Sequence, residues 1–195
     1  MYELKDKELI FVFTGPDGSG RRTLAHLAGQ TLGMQEILSH TTRQPRPGEN
    51  DGEDYHFVSR EAFLQARANN EFLEVVENSG NLYGIRSEDV ENYFRQNKCV
   101  YVVLNAEGAD ILKKLYGDKV IRLFIYADKK IVLERLQQRG DPEALIAENL
   151  SRYEAEYAYK GHCEHAFENI ESAHTIFRIT EILEQYLERD LVDKD

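Results

Sequence analysis

The residues most able to do chemistry begin with a glycine loop near the amino terminus, Gly15-Pro16-Asp17-Gly18-Ser19-Gly20-Arg21-Arg22-Thr23. Its glycines have the spacing of the pattern G-x-x-x-x-G-K-[ST], whose backbone N–H groups surround phosphates. Arg21 replaces the lysine that reaches the β- and γ-phosphates, and Arg22 replaces the hydroxyl residue that touches Mg²⁺. Thr23 has a hydroxyl one position later, about 100° further round a helix. The predicted phosphate-loop residues are Gly15, Gly18, Ser19, Gly20, Arg21, Arg22 and Thr23.

The segments on either side of this loop are typical of a strand and a helix. Leu9 to Thr14 is an apolar run of the kind that forms a buried parallel strand. After the loop, apolar residues recur at helical spacing, at Leu24, Leu27, Ala28 and Leu32. A strand, a glycine loop and a helix in that order direct backbone N–H groups at an anion. The alternative is an ordinary glycine-rich turn between a strand and a helix.

A second run, Ser39 to Phe57, also carries anion-binding chemistry. Arg43 and Arg46 stand three residues apart on a loop stiffened by proline, and two guanidinium forks so placed can bind one phosphate. Tyr55 and Tyr83 are further candidates, because their hydroxyls can donate hydrogen bonds. From composition alone, the alternative is a solvated polar loop whose charges pair with nearby acidic residues.

The rest of the chain predicts an α/β fold with a parallel sheet flanked by helices. Further strands are predicted at Glu36 to Ser39, Cys99 to Leu104 and Val120 to Tyr126. Apolar residues at helical spacing predict helices around residues 111–115, 131–139, 145–157 and 176–187. Such alternation of strands and helices favours a sheet covered on both faces. Between Thr41 and Ser87 we expect a small β-rich insertion with one short helix, Glu61 to Ala68.

Composition and charge argue against several classes of function. The 195 residues carry a net charge of −11, whereas a nucleic-acid binder usually presents a basic surface, so no nucleic-acid partner is expected. No apolar run approaches membrane-spanning length, and the amino terminus lacks the basic-then-apolar order of a signal peptide. The two cysteines have no metal-ligand spacing. We therefore expect a cytoplasmic protein with no membrane partner.

The run from Ser39 to Phe57 is Ser-His-Thr-Thr-Arg-x-Pro-Arg-x-Gly-Glu-x-x-Gly-x-Asp-Tyr-His-Phe, and it resembles the long signature of the guanylate kinases. Glu71-Phe72-Leu73-Glu74 and Gly80-Asn81-Leu82-Tyr83-Gly84 follow at the spacing of that family. The resemblance implies a P-loop nucleoside monophosphate kinase fold in a single domain over residues 1–195. Its implied parts are a core at about 8–40 and 98–190, a GMP-binding insertion at about 41–88 and a helical lid at about 138–160.

The resemblance also implies roles for individual residues. The GMP-binding residues it implies are Ser39, Arg43, Arg46, Glu49, Tyr55, Glu74, Tyr83 and Asn105. The resemblance implies that the arginines and tyrosines of this set bind the GMP phosphate, and that Ser39 and Glu74 bind the guanine edge. A carboxylate suits guanine because it accepts two N–H donors, from N1 and N2, whereas adenine offers no such pair.

Arg135 and Arg139 lie in a segment that resembles the helix beside the lid of that family, where arginines contact the ATP phosphates and the transferred group. The alternative for both is ion pairing on a helix surface. The implied ligands are GMP and ATP, with Mg²⁺ accompanying ATP, and no protein ligand for the metal is predicted. The implied catalytic residues are Arg21, Arg43, Arg135 and Arg139.

The chain differs from the family pattern mainly at positions whose side chains contact the substrates in that family. Besides Arg21 and Arg22, they are Asp17 for serine in the loop, Ile85 for a small hydroxyl residue, Asn105 for aspartate, Glu107 for glutamine, and Asn149 for a lid arginine, with Arg152 less than one turn away. Each lost charge-assisted contact costs roughly 1.5–3 kcal/mol, or about ten- to a hundredfold in rate or affinity.

Three functions are compatible with these residues. The first is phosphoryl transfer from ATP to GMP, giving ADP and GDP, impaired by Arg21 and Arg22. The second is a weak or inactive module that uses the GMP pocket to bind a nucleotide or a phosphorylated protein partner. The third, a kinase for another monophosphate, is disfavoured by Ser39 and Glu74. Because the substitutions concentrate in the ATP half, we expect GMP to bind more tightly than ATP.

Overall fold

The computed structural model describes residues 2–192, with side chains described up to residue 187. The strands of this part are β1 (Leu9–Thr14), β2 (Gln35–Glu36), β3 (His40–Thr41), β4 (His56–Phe57), β5 (Phe72–Asn78), β6 (Asn81–Arg86), β7 (Cys99–Val103), β8 (Val120–Tyr126) and β9 (His165–Glu168). The α-helices are α1 (Arg21–Leu32), α2 (Arg60–Ala68), α3 (Ser87–Phe94), α4 (Ala106–Tyr116), α5 (Lys129–Gln138), α6 (Glu143–Ala158) and α7 (Ser172–Val192).

The larger sheet is parallel, with its strands in the order β2–β7–β1–β8–β9. The central strand β1 is apolar on both faces, as a strand covered on both sides must be. Phe11 and Phe13 pack with α1 and α7 on one face. Ile10 and Val12 pack with α3 and α4 on the other. This confirms the predicted α/β class and brings the carboxyl end of β1, with its glycine loop, to one edge of the sheet.

The smaller sheet has the order β4–β3–β6–β5 and forms the β-rich insertion. Its helix α2 begins where Ser59 caps it, with the hydroxyl accepting a hydrogen bond from the backbone N–H of Ala62 at 3.1 Å. Phe63 of α2 stacks on Phe72 of β5, with ring centroids 4.4 Å apart. The predicted helix over Glu61 to Ala68 is therefore confirmed, beginning one residue earlier.

The predicted strand over Glu36 to Ser39 is wrong in its extent. Only Gln35 and Glu36 pair with β7, and the last bond to the larger sheet runs from Ile37 N–H to Tyr101 O at 2.9 Å. The chain then crosses to the smaller sheet, where β3 pairs with β4 and β6. The apolar run that predicted one strand reflects burial during this crossing, because Ile37 is only 1% exposed.

Outside the smaller sheet, whose strands were predicted only as a β-rich insertion, α3 and β9 were not predicted. Helix α3 is short and buries Val90 and Phe94, too few apolar positions to show helical spacing. Strand β9 buries only Phe167 fully, so no run of apolar residues marks it. The predicted helices correspond to α1, α4, α5, α6 and α7, and α6 begins at Glu143, directly after Pro142. Within residues 2–192, no helix is both long and apolar enough to cross a membrane.

Candidate functional site

The glycine loop joins the carboxyl end of β1 to the amino terminus of α1, so helix N–H groups face the space beyond the sheet. Gly15 has φ +134°, and a Cβ there would lie 1.9 Å from the carbonyl oxygen of Ile125. Gly20 has φ +87°, and its Cβ would lie 2.4 Å from Asn169 Nδ2. Both positions therefore require glycine, for backbone conformation and for space.

The two arginines that follow the loop go to different places. Arg21 donates to the carbonyl oxygen of Gly15 and so folds back over the loop. Arg22 turns away, and its guanidinium donates to Glu36 Oε1 and to the backbone oxygen of Asp54, both at 3.1 Å. It also lies over the ring of Tyr55, 4.4 Å from the centroid. Arg22 therefore links α1 to β2 and to the insertion.

Asp17 places a carboxylate among cations within the loop. Its Oδ2 accepts from Arg139 at 2.8 Å and from Asn149 Nδ2 at 3.3 Å, and lies 4.0 Å from Arg46. Burial opposes ionisation, but the hydrogen bond from Arg139 and the charges of Arg21, Arg139 and Arg46 outweigh it and lower the pKa of Asp17 to about 2. The carboxylate is therefore ionised at neutral pH and neutralises part of this positive cluster.

Arg135 and Arg139, on or beside α5, both bond to the glycine loop. Arg135 donates to Ser19 O at 3.1 Å and to Asn169 O at 2.9 Å, while Arg139 donates to Asp17. These contacts cross to another element, although Arg139 also makes a local ion pair with Asp141, at 2.8 and 2.5 Å. Asn169 was missed from the sequence, yet its side chain donates to Ser19 O at 2.8 Å. Asn169 follows β9, a strand that no sequence pattern predicted.

On the insertion, one carboxylate orients two arginines. Glu49 accepts from both terminal nitrogens of Arg43, at 2.8 and 2.9 Å, and from the backbone N–H of Arg46 at 2.7 Å. Tyr55 and Tyr83 meet edge to face, with centroids 6.0 Å apart. The signature residues are thus held together as one unit before any ligand arrives.

Ser39, Asn105 and Glu74 complete the predicted GMP-binding set. Ser39 is 6% exposed. Asn105 caps α4, its Oδ1 accepting from the backbone N–H of Gly108 at 2.9 Å. Neither carboxylate oxygen of Glu74 has a hydrogen-bond partner among the described residues, and the side chain is buried. Burial and the nearby Glu107 raise the pKa of Glu74 to about 8.

Two of the other replaced positions, Ile85 and Asn149, have structural explanations. Ile85 is fully buried in the core, where an apolar side chain belongs. Arg152 donates to Asn149 Oδ1 at 2.8 Å and to Asn78 Oδ1 at 2.9 Å, so it connects α6 to the end of β5. Together with the Asn149 contact to Asp17, this keeps α6 against both the loop and the insertion.

Two cavities meet in this region. The first, about 290 Å³, lies towards the insertion and α4, and Ser39, Tyr83 and Asn105 are in its wall. The second, about 670 Å³, lies towards α5 and the start of α6. Its wall includes Gly18, Gly20, Arg22, Thr23, Glu49, Arg135 and Arg139. Five polar side chains line both cavities: Asp17, Arg21, Arg43, Arg46 and Tyr55.

Most predicted site residues are therefore brought together, with three exceptions. Among the described residues, Gly15, Ser19 and Glu74 lie outside both cavity walls. The wall residues that were not predicted as site residues include Arg152 and Glu156. Burial raises the pKa of Glu156, against the charges of Arg21 and Arg152.

Arg22 cannot serve as a direct protein ligand for Mg²⁺ at this loop. A guanidinium has no lone pair to donate to a metal, and that of Arg22 is bound to Glu36. Mg²⁺ ordinarily keeps several waters and binds substrate phosphates. At this loop the ion would have to arrive with the ATP phosphates and remain in contact with water.

A parallel sheet, a glycine loop at the carboxyl end of its central strand and arginines around that loop define a P-loop nucleotide-binding protein. The family model for guanylate kinase matches residues 7–190. The chain belongs to the guanylate kinase family, and its glycine loop is the P-loop of that family.

Individual relatives support the same assignment. The guanylate kinase of Onion yellows phytoplasma is 32% identical over 93% of this chain and 87% of its own length. That of Chlorobaculum tepidum is 32% identical over 95% of this chain and 96% of its own. A solved guanylate kinase from Anaplasma phagocytophilum has a TM-score of 0.74 at 27% identity, covering 93% of this chain and 87% of that one.

Proposed function

We propose that the protein is a guanylate kinase that transfers the γ-phosphoryl group of ATP to GMP, giving ADP and GDP. The observation that carries this proposal is the wall shared by the two cavities. Arg21, Arg43 and Arg46 line both, so positive charge converges where the phosphates of two ligands would meet. Phosphoryl transfer depends mainly on positioning and on neutralising charge, and arginines suit both tasks.

In this proposal the first cavity holds GMP. Its phosphate is bound by Arg43, Arg46, Tyr55 and Tyr83, with Glu49 fixing the two arginines. The guanine faces the inner end of the cavity, where Ser39 and Asn105 lie in the wall, and Glu74, which lies outside the wall, must turn its side chain towards the base. The two unpartnered oxygens of Glu74 support this role, because a buried carboxyl without hydrogen bonds is costly unless a ligand supplies donors.

The second cavity holds the ATP phosphates. Backbone N–H groups between Gly15 and Gly20 and the amino terminus of α1 surround them, with Arg21, Arg135 and Arg139 adding charge. A phosphate oxygen of GMP attacks the γ-phosphorus, and the bond from that phosphorus to the ADP oxygen breaks. The attacking phosphate is already anionic, so the protein need not remove a proton. The reaction is proposed for the cytoplasm, without a nucleic-acid or membrane partner.

A coupled assay of ADP release, with GMP and Mg-ATP, tests this function. We expect turnover that requires GMP and is slower than the roughly 1–100 s⁻¹ of typical kinases, because Arg21 and Arg22 replace the usual P-loop residues. The double variant Arg21→Lys with Arg22→Ser should be faster. Reactions with AMP or CMP in place of GMP are the matched controls. GMP-independent ADP release, or no turnover in either protein, would contradict the proposal.

Calorimetry tests the relative strength of the two halves. GMP should bind more tightly than ATP, since the insertion signature is nearly complete while the loop is substituted. Tight Mg-ATP binding without GMP binding would overturn this order. GMP binding without turnover would favour the binding module instead, with a nucleotide or a phosphorylated protein as its ligand.

A further inference from the structure

His40, His56 and Asp89 form a cluster outside the walls of the two cavities. Each offers one potential ligand atom, and these atoms lie within 4.8 Å of one another. Imidazole nitrogens and a carboxylate oxygen are ligands that first-row divalent metals accept. No contact described so far uses any of the three side chains.

The fold holds the three residues together from separate elements. His40 of β3 stands opposite His56 of β4 in a parallel pair, and residues paired in this way project from the same face. Their ring centroids are 4.5 Å apart. Asp89 lies in the first turn of α3, and its Oδ2 is 3.6 Å from His40 Nδ1. Three connected pieces of structure thus converge on one point.

Two polar atoms at this point, which face each other at 3.6 Å, have no hydrogen-bond partner among the described residues. His40 is only 7% exposed, and its Nδ1 is buried without a hydrogen bond among the described residues. The Oδ2 of Asp89 is buried and unpartnered in the same sense. Native proteins rarely bury such groups unsatisfied, so a lone pair on each of two side chains calls for a bound species.

We propose that His40, His56 and Asp89 bind a zinc ion. Three protein ligands leave the fourth tetrahedral position for water. Metal–ligand distances of about 2.0 Å place tetrahedral ligand atoms about 3.3 Å apart, so the 3.6 Å separation of His40 and Asp89 already suits zinc. The wider separation, up to 4.8 Å, requires only a side-chain adjustment.

The surrounding charges permit a cation here. The carboxylate of Asp89 supplies negative charge to the cluster, 3.6 Å from His40 Nδ1. Arg86 opposes a metal, but it pairs with Glu71 at 3.5 Å and lies over the Phe72 ring at 5.8 Å.

A zinc ion at this position would cross-link β3, β4 and α3. His40 directly follows Ser39 and His56 directly follows Tyr55, so the ion would stiffen the two strands that lead into the first cavity. This role is structural, and it stands whether or not the protein phosphorylates GMP.

The test is zinc binding by untagged protein that has been treated with a chelator and then freed of it, without nucleotide. Titration calorimetry should show one Zn²⁺ per chain, and zinc should raise the melting temperature. Cobalt in its place should give the intense visible absorption of a tetrahedral site. Asp89→Asn, which keeps the side-chain shape, should weaken zinc binding at least tenfold, as should His56→Gln. His174→Gln, at an exposed histidine, is the control and should leave binding unchanged.

The proposal is overturned if the chelator-treated protein takes up no zinc at micromolar concentration. It is equally overturned if Asp89→Asn binds zinc as well as the parent, because the ion then resides elsewhere, for example at a cysteine. Circular dichroism verifies that each variant is folded. If His56→Gln does not fold, the nearly isosteric Asp89→Asn decides the matter alone.

Discussion

The insertion and the P-loop combine arginine with a carboxylate in opposite ways. On the insertion, Glu49 binds Arg43 through both guanidinium nitrogens and holds the backbone of Arg46, so it orients the groups proposed for the GMP phosphate. On the P-loop, Asp17 lies among the cations, bound to Arg139 and close to Arg46. The first carboxylate supports an anion site, while the second occupies part of one.

The number of arginines at a site therefore does not determine its affinity for phosphate. Asp17 takes a hydrogen bond from Arg139, a guanidinium proposed for the ATP phosphates, whereas Glu49 leaves Arg46 and two tyrosines in the cavity wall. A carboxylate beside the cations lowers affinity for phosphate by charge competition, and one behind them raises it by orientation. The position of the carboxylate therefore decides the effect.

The largest effect should come from the insertion. Arg43→Ala removes a proposed phosphate ligand and leaves Glu49 without its partner, which should cost about 3 kcal/mol, or roughly a hundredfold in GMP affinity by calorimetry. Arg60→Ala, at an exposed arginine of the same insertion, is the control and should change affinity less than about twofold. A loss below threefold for Arg43→Ala would end the claim that Glu49 orients a working anion site.

The next effect is a dependence of GMP binding on pH. With its pKa near 8, Glu74 is protonated at neutral pH, and it must lose that proton to accept two N–H donors from guanine. GMP affinity should therefore rise roughly fiftyfold between pH 6 and pH 8 by titration. Ionisation of the GMP phosphate contributes to this slope as well. The variant Glu74→Gln should keep the pH dependence that comes from the GMP phosphate and lose the part that comes from Glu74. If GMP affinity depends on pH equally in both proteins, Glu74 does not bind guanine.

Asp17→Ser tests the other half of the comparison. Without the carboxylate, Arg139 keeps its two hydrogen bonds to Asp141, but Arg139 and Arg46 lose one competitor for phosphate. ATP affinity should therefore rise about tenfold, from roughly 1.5 kcal/mol for one charge-assisted contact. GMP affinity should change less than ATP affinity. Asp118→Ser, at a fully exposed side chain, controls for the change in net charge. Unchanged or weaker ATP binding in Asp17→Ser would show that the carboxylate does not compete.

The smallest effect should be on stability. Arg22→Ser breaks a partly buried ion pair with Glu36 and should lower the free energy of unfolding by about 1 kcal/mol, measured by urea denaturation. A double-mutant cycle with Glu36→Gln should give a coupling energy of similar size. Arg95→Ser disrupts an exposed pair with Glu91 on α3 and should change stability by less than half as much. If both arginine variants lose the same free energy of unfolding, Arg22 stabilises the fold no more than an exposed ion pair does.

Local patterns predicted what depends on neighbours in the sequence. The glycine spacing, the apolar strand β1 and the helical spacing of α1 and α5 all correspond to observed elements. Strand β9 was not predicted because only Phe167 is buried there. The segment after Glu36 was wrongly predicted as a strand because it is buried as it crosses between the two sheets.

The chemistry of the site was harder to predict, because it depends on contacts between distant segments. Asp17 bonds to Arg139, 122 residues away, and to Asn149, 132 residues away. Arg22 was expected among phosphates, yet its partner Glu36 belongs to a strand of only two residues. The raised pKa of Glu74 comes from burial, which only the assembled fold creates.

The position of Arg22 has a consequence for the timing of the reaction. It joins the helix after the P-loop to Glu36 and to the insertion at Asp54 and Tyr55, bridging the proposed ATP half to the proposed GMP half. A protein braced in this way is already ordered before its ligands arrive, so less conformational entropy is lost on binding. The contacts of Arg22 must break before the proposed ATP and GMP halves can separate. Product release is therefore a candidate for the slowest step of the proposed reaction.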